Sequence, residues 1–178
     1  MTDKQTDTLF STPLGEVPSF VFDAAVANVF SNMISRSVPG YETVTAMSGV
    51  IANRFSKTGT TLYDLGCSLG ATSFAMAQAM AAHCKVVAVD NSAAMIERLR
   101  EQSHANGLAV EAVCADVMDV DLVNASVVAL NYTLQFVPLA QRESLLHAIY
   151  RGMNDGGVLI LSEKIRFDDT AVSYTHLT

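Results

Sequence analysis

The ten residues from Thr61 to Gly70, TLYDLGCSLG, constrain the fold of this chain more than any other stretch. A short run of β-branched and apolar residues ends at Asp64. Gly66 and Gly70 then bracket a tight loop, and residues that favour helix formation follow. This order predicts a strand, a glycine loop and a helix. Such a unit places backbone N–H groups and the positive end of a helix beside the C-terminal edge of a sheet, where nucleotide-like ligands bind.

The loop taken by itself has three interpretations. Gly66-x-Ser68-x-x-Ala71 is a degraded dinucleotide fingerprint, with serine where the backbone should come closest to a pyrophosphate. Gly66-x-Ser68-x-Gly70 matches the nucleophile elbow of a hydrolase. Asp64-x-Gly66-x-Ser68-x-Gly70 is the first motif of an S-adenosylmethionine-binding Rossmann-like fold, and we favour this third interpretation.

The composition favours one soluble domain. The chain has 178 residues, 50% of them hydrophobic, which is enough for one core. Its net charge of -7 argues against direct nucleic-acid binding. The three cysteines lack C-x-x-C spacing, so we expect neither a disulfide framework nor a metal site. A reducing cytoplasm fits best, and neither a signal peptide nor a membrane-spanning run is evident.

The pattern of apolar residues predicts an order of parts along the chain. Residues 1–18 read as an irregular arm, 19–57 as a helical lid, 58–165 as a Rossmann-like core and 166–178 as a tail. Two stretches of helical spacing make up the lid, with a break at Pro39 and Gly40 between them.

Within the lid, Tyr41 directly follows the break and has two interpretations. It either packs between the two helices or faces the glycine loop. The second helix is predicted from the spacing of Val44, Met47, Ile51 and Phe55.

Polar residues end the later predicted strands. Lys85 to Asp90 is a continuous apolar run, typical of a buried parallel strand, and its final acid comes 20 positions after Gly70. A carboxylate at this distance can accept hydrogen bonds from a ribose diol, although Asp90 could instead cap the next helix. That helix is predicted from Ala93 to Asn106, with Gly107 as its stop.

Two further strands end in the same way. Val110 to Cys114 precedes Asp116, which could accept a hydrogen bond from an adenine amino group or be an ordinary loop acid. Ser126 to Asn131 ends in an amide that suits an amino-acid moiety or a substrate, or is a plain loop asparagine.

The end of the predicted core is one more helix and strand. The helix runs from Leu139 to Met153, and a turn at Asp155-Gly156-Gly157 leads to a fifth strand at Val158 to Ser162. His147 lies in this helix and is interpreted as a packing or surface residue.

Together these elements predict an α/β fold with a doubly wound parallel sheet. Right-handed crossovers bring Gly66, Asp90, Asp116 and Asn131 to one edge of that sheet. The hydrolase interpretation weakens, because neither His147 nor His176 is well placed to serve a Ser68 nucleophile. Nicotinamide binding remains a second possibility.

Several separated segments then match one family. They are Arg36-Ser-Val-Pro-Gly-Tyr41, Tyr63-Asp-Leu-Gly-Cys-Ser-Leu-Gly-Ala71, Asp90-Asn-Ser92, Ala94-Met-Ile-Glu-Arg98, Leu130-Asn131, Thr133-Leu-Gln-Phe136 and Leu161-Ser-Glu-Lys164. From about Asp7 to Val172 the chain resembles carboxy-S-adenosyl-L-methionine synthases. The resemblance implies the Rossmann-like fold of class I S-adenosylmethionine-dependent methyltransferases and a homodimer.

The resemblance also implies an activity. The family converts S-adenosyl-L-methionine and prephenate into carboxy-S-adenosyl-L-methionine and phenylpyruvate, and the product feeds formation of 5-oxyacetyl-uridine at the tRNA wobble position. The implied contacts are Tyr41 from the lid, Gly66 with Cys67 and Ser68 at the methionine moiety, Asp90 with Asn91 at the ribose, Asp116 and Val117 at the adenine, and Asn131 near the sulfonium. No catalytic residue and no metal ligand is assigned.

The match ends before the chain does. Ser173-Tyr-Thr-His-Leu-Thr178 differs from the family, whose members continue with the last strands of the sheet and an arginine for the transferred carboxylate. We therefore expect the chain as written to be a truncated form that folds poorly or exposes a sheet edge and lacks synthase activity. A small-molecule methyltransferase and a cofactor-binding remnant remain as alternatives.

Overall fold

The computed structural model describes residue 30 and residues 33–164. The predicted arm and tail lie outside this range, as does most of the first lid helix, of which residues 33–37 are helical. The helices are α1 (Tyr41–Phe55), α2 (Ala71–Ala79), α3 (Ala93–Ala105) and α4 (Leu139–Gly152). The strands are β1 (Thr61–Leu65), β2 (Lys85–Asp90), β3 (Val110–Cys114), β4 (Ala125–Asn131) and β5 (Met153–Ser162).

The five strands form one sheet in the order β3-β2-β1-β4-β5. Every neighbouring pair is parallel, so each connection is a crossover and the predicted doubly wound α/β fold is confirmed. The order reverses between β1 and β4, and a crevice at such a point is the usual ligand site of an open parallel sheet. Among the described strands, β5 pairs with β4 alone and forms one edge.

Apolar side chains cover both faces of the sheet. One face packs Leu65 and Leu130 against Leu145 and Ile149 of α4. The other face packs Leu62, Val86 and Val127 with Met76 of α2 and Ala52 of α1. All five residues of β1 are buried, as the continuous apolar pattern of a central parallel strand predicts.

Helix α1 packs closely on α2 through small residues. Ser48, Gly49 and Ala52 are its buried positions, and a Cβ added at Gly49 would lie 3.0 Å from the Ala75 carbonyl oxygen. The predicted helix is confirmed, but Met47, which the spacing placed on its apolar side, is 48% exposed. The close approach selects the small residues for the interface and turns the larger Met47 outward.

The start of β5 differs from the prediction. The strand begins at Met153 and not at Val158, because Ala125 pairs with Met153 and Val127 then pairs with Val158. The residues between these two pairs bulge out, and Gly156 takes a φ of +73° there. The predicted turn is therefore a bulge inside the strand, and α4 ends at Gly152.

The helix formers continue from Ala71 to Ala82, but helix α2 ends at Ala79. The predicted end of α3 is confirmed, since Asn106 is its C-cap and Gly107 follows with a φ of +64°. No helix in the described part of the chain is long and apolar enough to cross a membrane.

Candidate functional site

A cavity of about 1270 Å³ lies over the C-terminal edge of the sheet. Its walls come from the ends of the strands and from the helical residues before and at the start of α1. All nine residues that the sequence singled out line it: Tyr41, Gly66, Cys67, Ser68, Asp90, Asn91, Asp116, Val117 and Asn131.

The glycine loop forms the floor between β1 and β2. The Gly66 and Cys67 N–H groups both donate to the Val89 carbonyl, at 2.8 and 2.9 Å, and tie the loop to β2. Gly66 has a φ of +76°, and a Cβ there would overlap the Thr133 side chain. Only glycine fits this backbone and this contact, and the result is a cradle of main-chain atoms open to the cavity.

Asp90 is held by two backbone amides. Its Oδ2 accepts from the Ser68 N–H at 2.8 Å and its Oδ1 from the Ser92 N–H at 2.9 Å. The helix cap is Ser92, whose Oγ accepts from Met95, so Asp90 is not the cap. Burial raises the pKa of Asp90, and the two amide hydrogen bonds counteract part of that shift. Each carboxylate oxygen still has a lone pair for a ligand hydroxyl.

Asp64 is the most buried charged group of the cavity wall, at 2% exposure. The Ser73 hydroxyl donates to its Oδ2 at 2.5 Å. Burial raises the pKa of Asp64 to about 6, the Ser73 hydrogen bonds oppose the shift, and the charge of Asp90 adds to it. A cation bound in the cavity would favour the ionised form. Sequence reasoning placed Asp64 in the glycine motif but did not include it among the binding residues.

Asp116 lies at the outer end of the cavity on a short 3-10 turn, Val117–Asp119. Its Oδ1 accepts from the Met118 N–H at 2.9 Å, which fixes the carboxylate at the start of the turn. Asp116 and Val117 line the cavity, whereas neither Asp119 nor Asp121 does. This position distinguishes Asp116 from the other acids of the loop.

Asn131 is oriented by the helices. Its Nδ2 donates to Ser48 Oγ at 3.2 Å and to Thr72 Oγ1 at 3.3 Å. Its Oδ1 is buried and has no hydrogen-bond partner within the described residues. The amide therefore keeps an unused acceptor in a residue that lines the cavity, while its donors are engaged by the protein.

Two tyrosines meet at the cavity wall. The rings of Tyr41 and Tyr132 are 6.3 Å apart between centroids and inclined by 35°. Burial raises the pKa of Tyr41 to about 12, and the charge of Asp64 adds to the shift. Tyr132 has a φ of +58°, a left-handed conformation that is strained for an aromatic residue and that clusters at functional sites.

Sequence reasoning missed Tyr132 and Lys164, which also line the cavity. The sequence carried a signal for Lys164. This residue comes shortly after β5, and Asn131 at the end of β4 had been selected by the same rule that strand ends share one edge. For Tyr132 the sequence carried no signal, since a left-handed backbone is not expected of tyrosine.

The hydrolase interpretation lacks support from the geometry. The Ser68 hydroxyl lies 3.6 Å from the Met95 sulfur. His83, His104 and His147 are exposed, and none of them lines the cavity. His147 is a surface residue, as predicted, and His176 lies outside the described residues.

A glycine cradle with carboxylates at the ends of β1 and β2 defines the class of the protein as a Rossmann-like methyltransferase-type domain. Residues 62–157 match a family model described as a methyltransferase domain. A crystal structure of an S-adenosylmethionine-dependent methyltransferase from Clostridium acetobutylicum shares the fold, with a TM-score of 0.62 at 14% identity over 74% of this chain and 55% of that one.

Closer relatives give the particular family. A carboxy-S-adenosyl-L-methionine synthase of Trichlorobacter lovleyi is 51% identical over 178 residues, 98% of this chain and 73% of the relative. One of Photorhabdus laumondii is 47% identical over 171 residues, 94% of this chain and 68% of the relative. The chain belongs to the carboxy-S-adenosyl-L-methionine synthase family of transferases, with S-adenosyl-L-methionine as a substrate. It spans roughly seven tenths of the length of these relatives.

The cavity fits that substrate chemically. S-adenosyl-L-methionine carries a sulfonium and an ammonium cation, and the wall provides Asp64, Asp90 and Asp116. The unpartnered Asn131 Oδ1 and the open cradle at Gly66 supply an acceptor and space for a close backbone approach.

Proposed function

We propose that this protein carboxylates S-adenosyl-L-methionine with prephenate as the donor. Prephenate loses its ring carboxyl group as carbon dioxide and its ring hydroxyl as hydroxide, and becomes phenylpyruvate. The sulfonium methyl group exchanges one proton for the carbon dioxide, and that proton and the hydroxide form water. The products are carboxy-S-adenosyl-L-methionine, phenylpyruvate and water.

Each binding residue has a proposed contact. Asp90 with Asn91 holds the ribose, Asp116 and Val117 flank the adenine, and Gly66 with Cys67 and Ser68 lines the methionine moiety. The single observation that carries this assignment is the Asp90 carboxylate. Its two oxygens accept from the Ser68 and Ser92 amides beside the glycine cradle, at the end of β2, where an acid in nucleotide-binding units accepts from a ribose diol.

The size of the cavity supports a second substrate. Its volume of about 1270 Å³ exceeds the roughly 300–1,000 Å³ of most small-molecule sites. Tyr41 and Val137 contribute apolar surface to the same wall, which favours exclusion of water. Carbon dioxide must be captured before it escapes, so a water-poor site suits this reaction. No side chain is assigned as the general base, because the leaving hydroxide can take the proton.

The resemblance to the family also supports a proposal about the wider role. We propose that the product is consumed in forming 5-oxyacetyl-uridine at the tRNA wobble position and that the protein acts as a cytoplasmic homodimer. The acidic net charge of -7 supports a role in supplying the modified cofactor without direct contact to tRNA.

The second candidate is methyl transfer to a small molecule. The match of residues 62–157 to a methyltransferase domain favours it, because this fold commonly carries that chemistry. The two candidates differ in the fate of the cofactor. Methyl transfer leaves S-adenosylhomocysteine, whereas carboxylation leaves a heavier sulfonium product.

The test is mass spectrometry with prephenate labelled with ¹³C in its ring carboxyl group. We expect the label in carboxy-S-adenosyl-L-methionine and unlabelled phenylpyruvate in equal amount. The assay is run with this chain and with a chimera that continues it with the C-terminal part of the Trichlorobacter lovleyi relative. Accumulation of S-adenosylhomocysteine without carboxylated product would contradict the proposal. If only the chimera is active, the result agrees with our expectation that the chain as written is inactive. If both proteins are active, that expectation is wrong and the proposed function stands.

A further inference from the structure

The two ends of the cavity differ in charge. The ends of β1 to β3 contribute the acids Asp64, Asp90 and Asp116. The ends of β4 and β5 contribute Asn131, Tyr132 and Lys164, and the turn and helix that follow β4 contribute Gln135 and Gln141. Within the described residues, Lys164 is the only lysine or arginine that lines the cavity, and it lies at the end away from the acids of β2 and β3.

Lys164 has no counter-ion among the described residues. No hydrogen bond or salt bridge joins its Nζ to another residue in the described range, and it is half-buried. The adjacent Glu163 does not line the cavity. The Glu163 carboxylate instead lies near the amides of Leu134 and Gln135 and the charge of Arg142, which lower its pKa against the larger effect of burial.

Hydrogen bonds connect the segments next to the end of β5. The Tyr132 N–H donates to the Ser162 carbonyl at 2.6 Å, so the strained residue after β4 is pinned to the end of β5. Arg142 donates to the Val137 and Gln135 carbonyls at 2.9 and 3.1 Å and holds the following turn. A half-buried cation on the cavity wall is a suitable partner for one carboxylate.

We propose that Lys164 binds the second substrate through the carboxylate that the substrate keeps. This inference rests on the proposed function, in which that substrate has two carboxylates and loses one. A fixed positive charge paired with the departing carboxylate would stabilise the ground state and slow the loss of carbon dioxide. Lys164 therefore pairs with the side-chain carboxylate of prephenate, which remains in phenylpyruvate. It is a binding and specificity residue for anionic 2-oxo acids.

The test combines turnover and binding in three variants. Lys164→Met keeps an unbranched apolar stem without charge, Lys164→Arg keeps the charge, and Lys85→Met removes an exposed lysine that pairs with Glu111 away from the cavity. Prephenate kinetics are measured in the chimera described above. Phenylpyruvate binding to the chain saturated with S-adenosyl-L-methionine is measured by calorimetry.

Lys164→Met should raise the KM for prephenate and the Kd for phenylpyruvate by about tenfold or more, as loss of a charge-assisted hydrogen bond predicts. Lys164→Arg should raise the KM for prephenate and the Kd for phenylpyruvate less than Lys164→Met does. Lys85→Met should change neither constant. The Kd for S-adenosyl-L-methionine should stay within about twofold in all three, which also shows that the variants are folded.

The outcomes separate this inference from the proposed function. Turnover by the chimera with an unchanged KM in Lys164→Met would overturn the role of Lys164 and leave the function intact. If neither the unsubstituted chain nor the unsubstituted chimera forms carboxylated product, the proposed function fails. Phenylpyruvate binding that depends on Lys164 would then still support a carboxylate site, and binding that is absent or independent of Lys164 would overturn it.

Discussion

The two ends of the cavity are built differently. At the ends of β1 to β3 each carboxylate already accepts a hydrogen bond from the protein: Asp64 from Ser73, Asp90 from Ser68 and Ser92, and Asp116 from Met118. At the ends of β4 and β5, Asn131 Oδ1 and Lys164 Nζ have no such partner within the described residues.

This difference separates what the fold provides from what a particular reaction requires. Preorganised acids suit a ligand that is the same in every member of a fold class, because their orientation needs no adjustment on binding. Groups left without partners carry a cost that a ligand relieves. On our proposal Asn131 faces the reacting part of the cofactor, and Lys164 marks the part of the site specific to the second substrate. Variants at the two ends should therefore affect different ligands.

The largest effect is expected at the glycine cradle. Gly66→Ala forces a left-handed alanine whose Cβ overlaps Thr133, so the free energy of unfolding should fall by about 2–4 kcal/mol. Gly59→Ala is the matched control, because Gly59 has a φ of +79° but nothing within 4 Å of an added Cβ, and it should cost only about 1 kcal/mol. Urea unfolding measures both, and equal losses would show that the Thr133 contact is unimportant.

The next effect is the pH dependence of Asp64. Its pKa of about 6 in the folded protein is above its ordinary value of 3.8, so the folded state binds the proton more tightly than the unfolded state. Stability from this group is full below about pH 4 and is lost as the pH rises through about 6, by up to about 3 kcal/mol.

In Asp64→Asn the free energy of unfolding should no longer fall as the pH rises through about 6. Asp119→Asn changes an exposed loop acid and should show the same fall as the wild type. Urea unfolding between pH 4 and 7 in the absence of ligand measures the three proteins. Parallel stability curves for wild type and Asp64→Asn would contradict the assignment.

A smaller effect is expected at Asp90. Asp90→Asn leaves one acceptor oxygen for two amide donors, so the Ser68 and Ser92 N–H groups cannot both be satisfied. The Kd for S-adenosyl-L-methionine should rise about tenfold or more, corresponding to roughly 1.5–3 kcal/mol. In the presence of saturating S-adenosyl-L-methionine, phenylpyruvate binding should be unchanged. Loss of phenylpyruvate binding alone would reverse the assignment of the two ends.

The smallest effect is expected from the partner of Asn131. Thr72→Val keeps the volume of the side chain and removes the hydroxyl that accepts from Asn131 Nδ2 at 3.3 Å. Stability should fall by about 1 kcal/mol, and kcat of the chimera should fall more than its affinity for S-adenosyl-L-methionine. Thr72→Ser keeps the hydroxyl and should retain kcat, so a similar loss in both variants would argue against orientation of the amide.

The sequence predicted the order and type of the elements because a parallel sheet buries continuous apolar strands that end in polar loops. Lys85–Asp90 and Val110–Cys114 have the predicted bounds. It did not predict the bulge at the start of β5, because pairing with β4 decides where that strand begins. Nor did it predict the small-residue face of α1, which depends on how closely α2 approaches.

For the site, the rule that strand ends share one edge was enough to bring Gly66, Asp90, Asp116 and Asn131 together. Asn131 donates to Ser48 and Thr72, which lie far from it in the sequence. A local sequence pattern could not predict these contacts. The same holds for the strained Tyr132, whose conformation is fixed by its bond to Ser162.

The measurement that tests the two-ended site most directly is a crystal structure of the chain with S-adenosyl-L-methionine and phenylpyruvate bound. The account predicts the ribose hydroxyls within hydrogen-bond distance of Asp90 and the phenylpyruvate carboxylate within that distance of Lys164 Nζ. A ribose placed at the ends of β4 and β5, or a phenylpyruvate carboxylate bound away from Lys164, would contradict it.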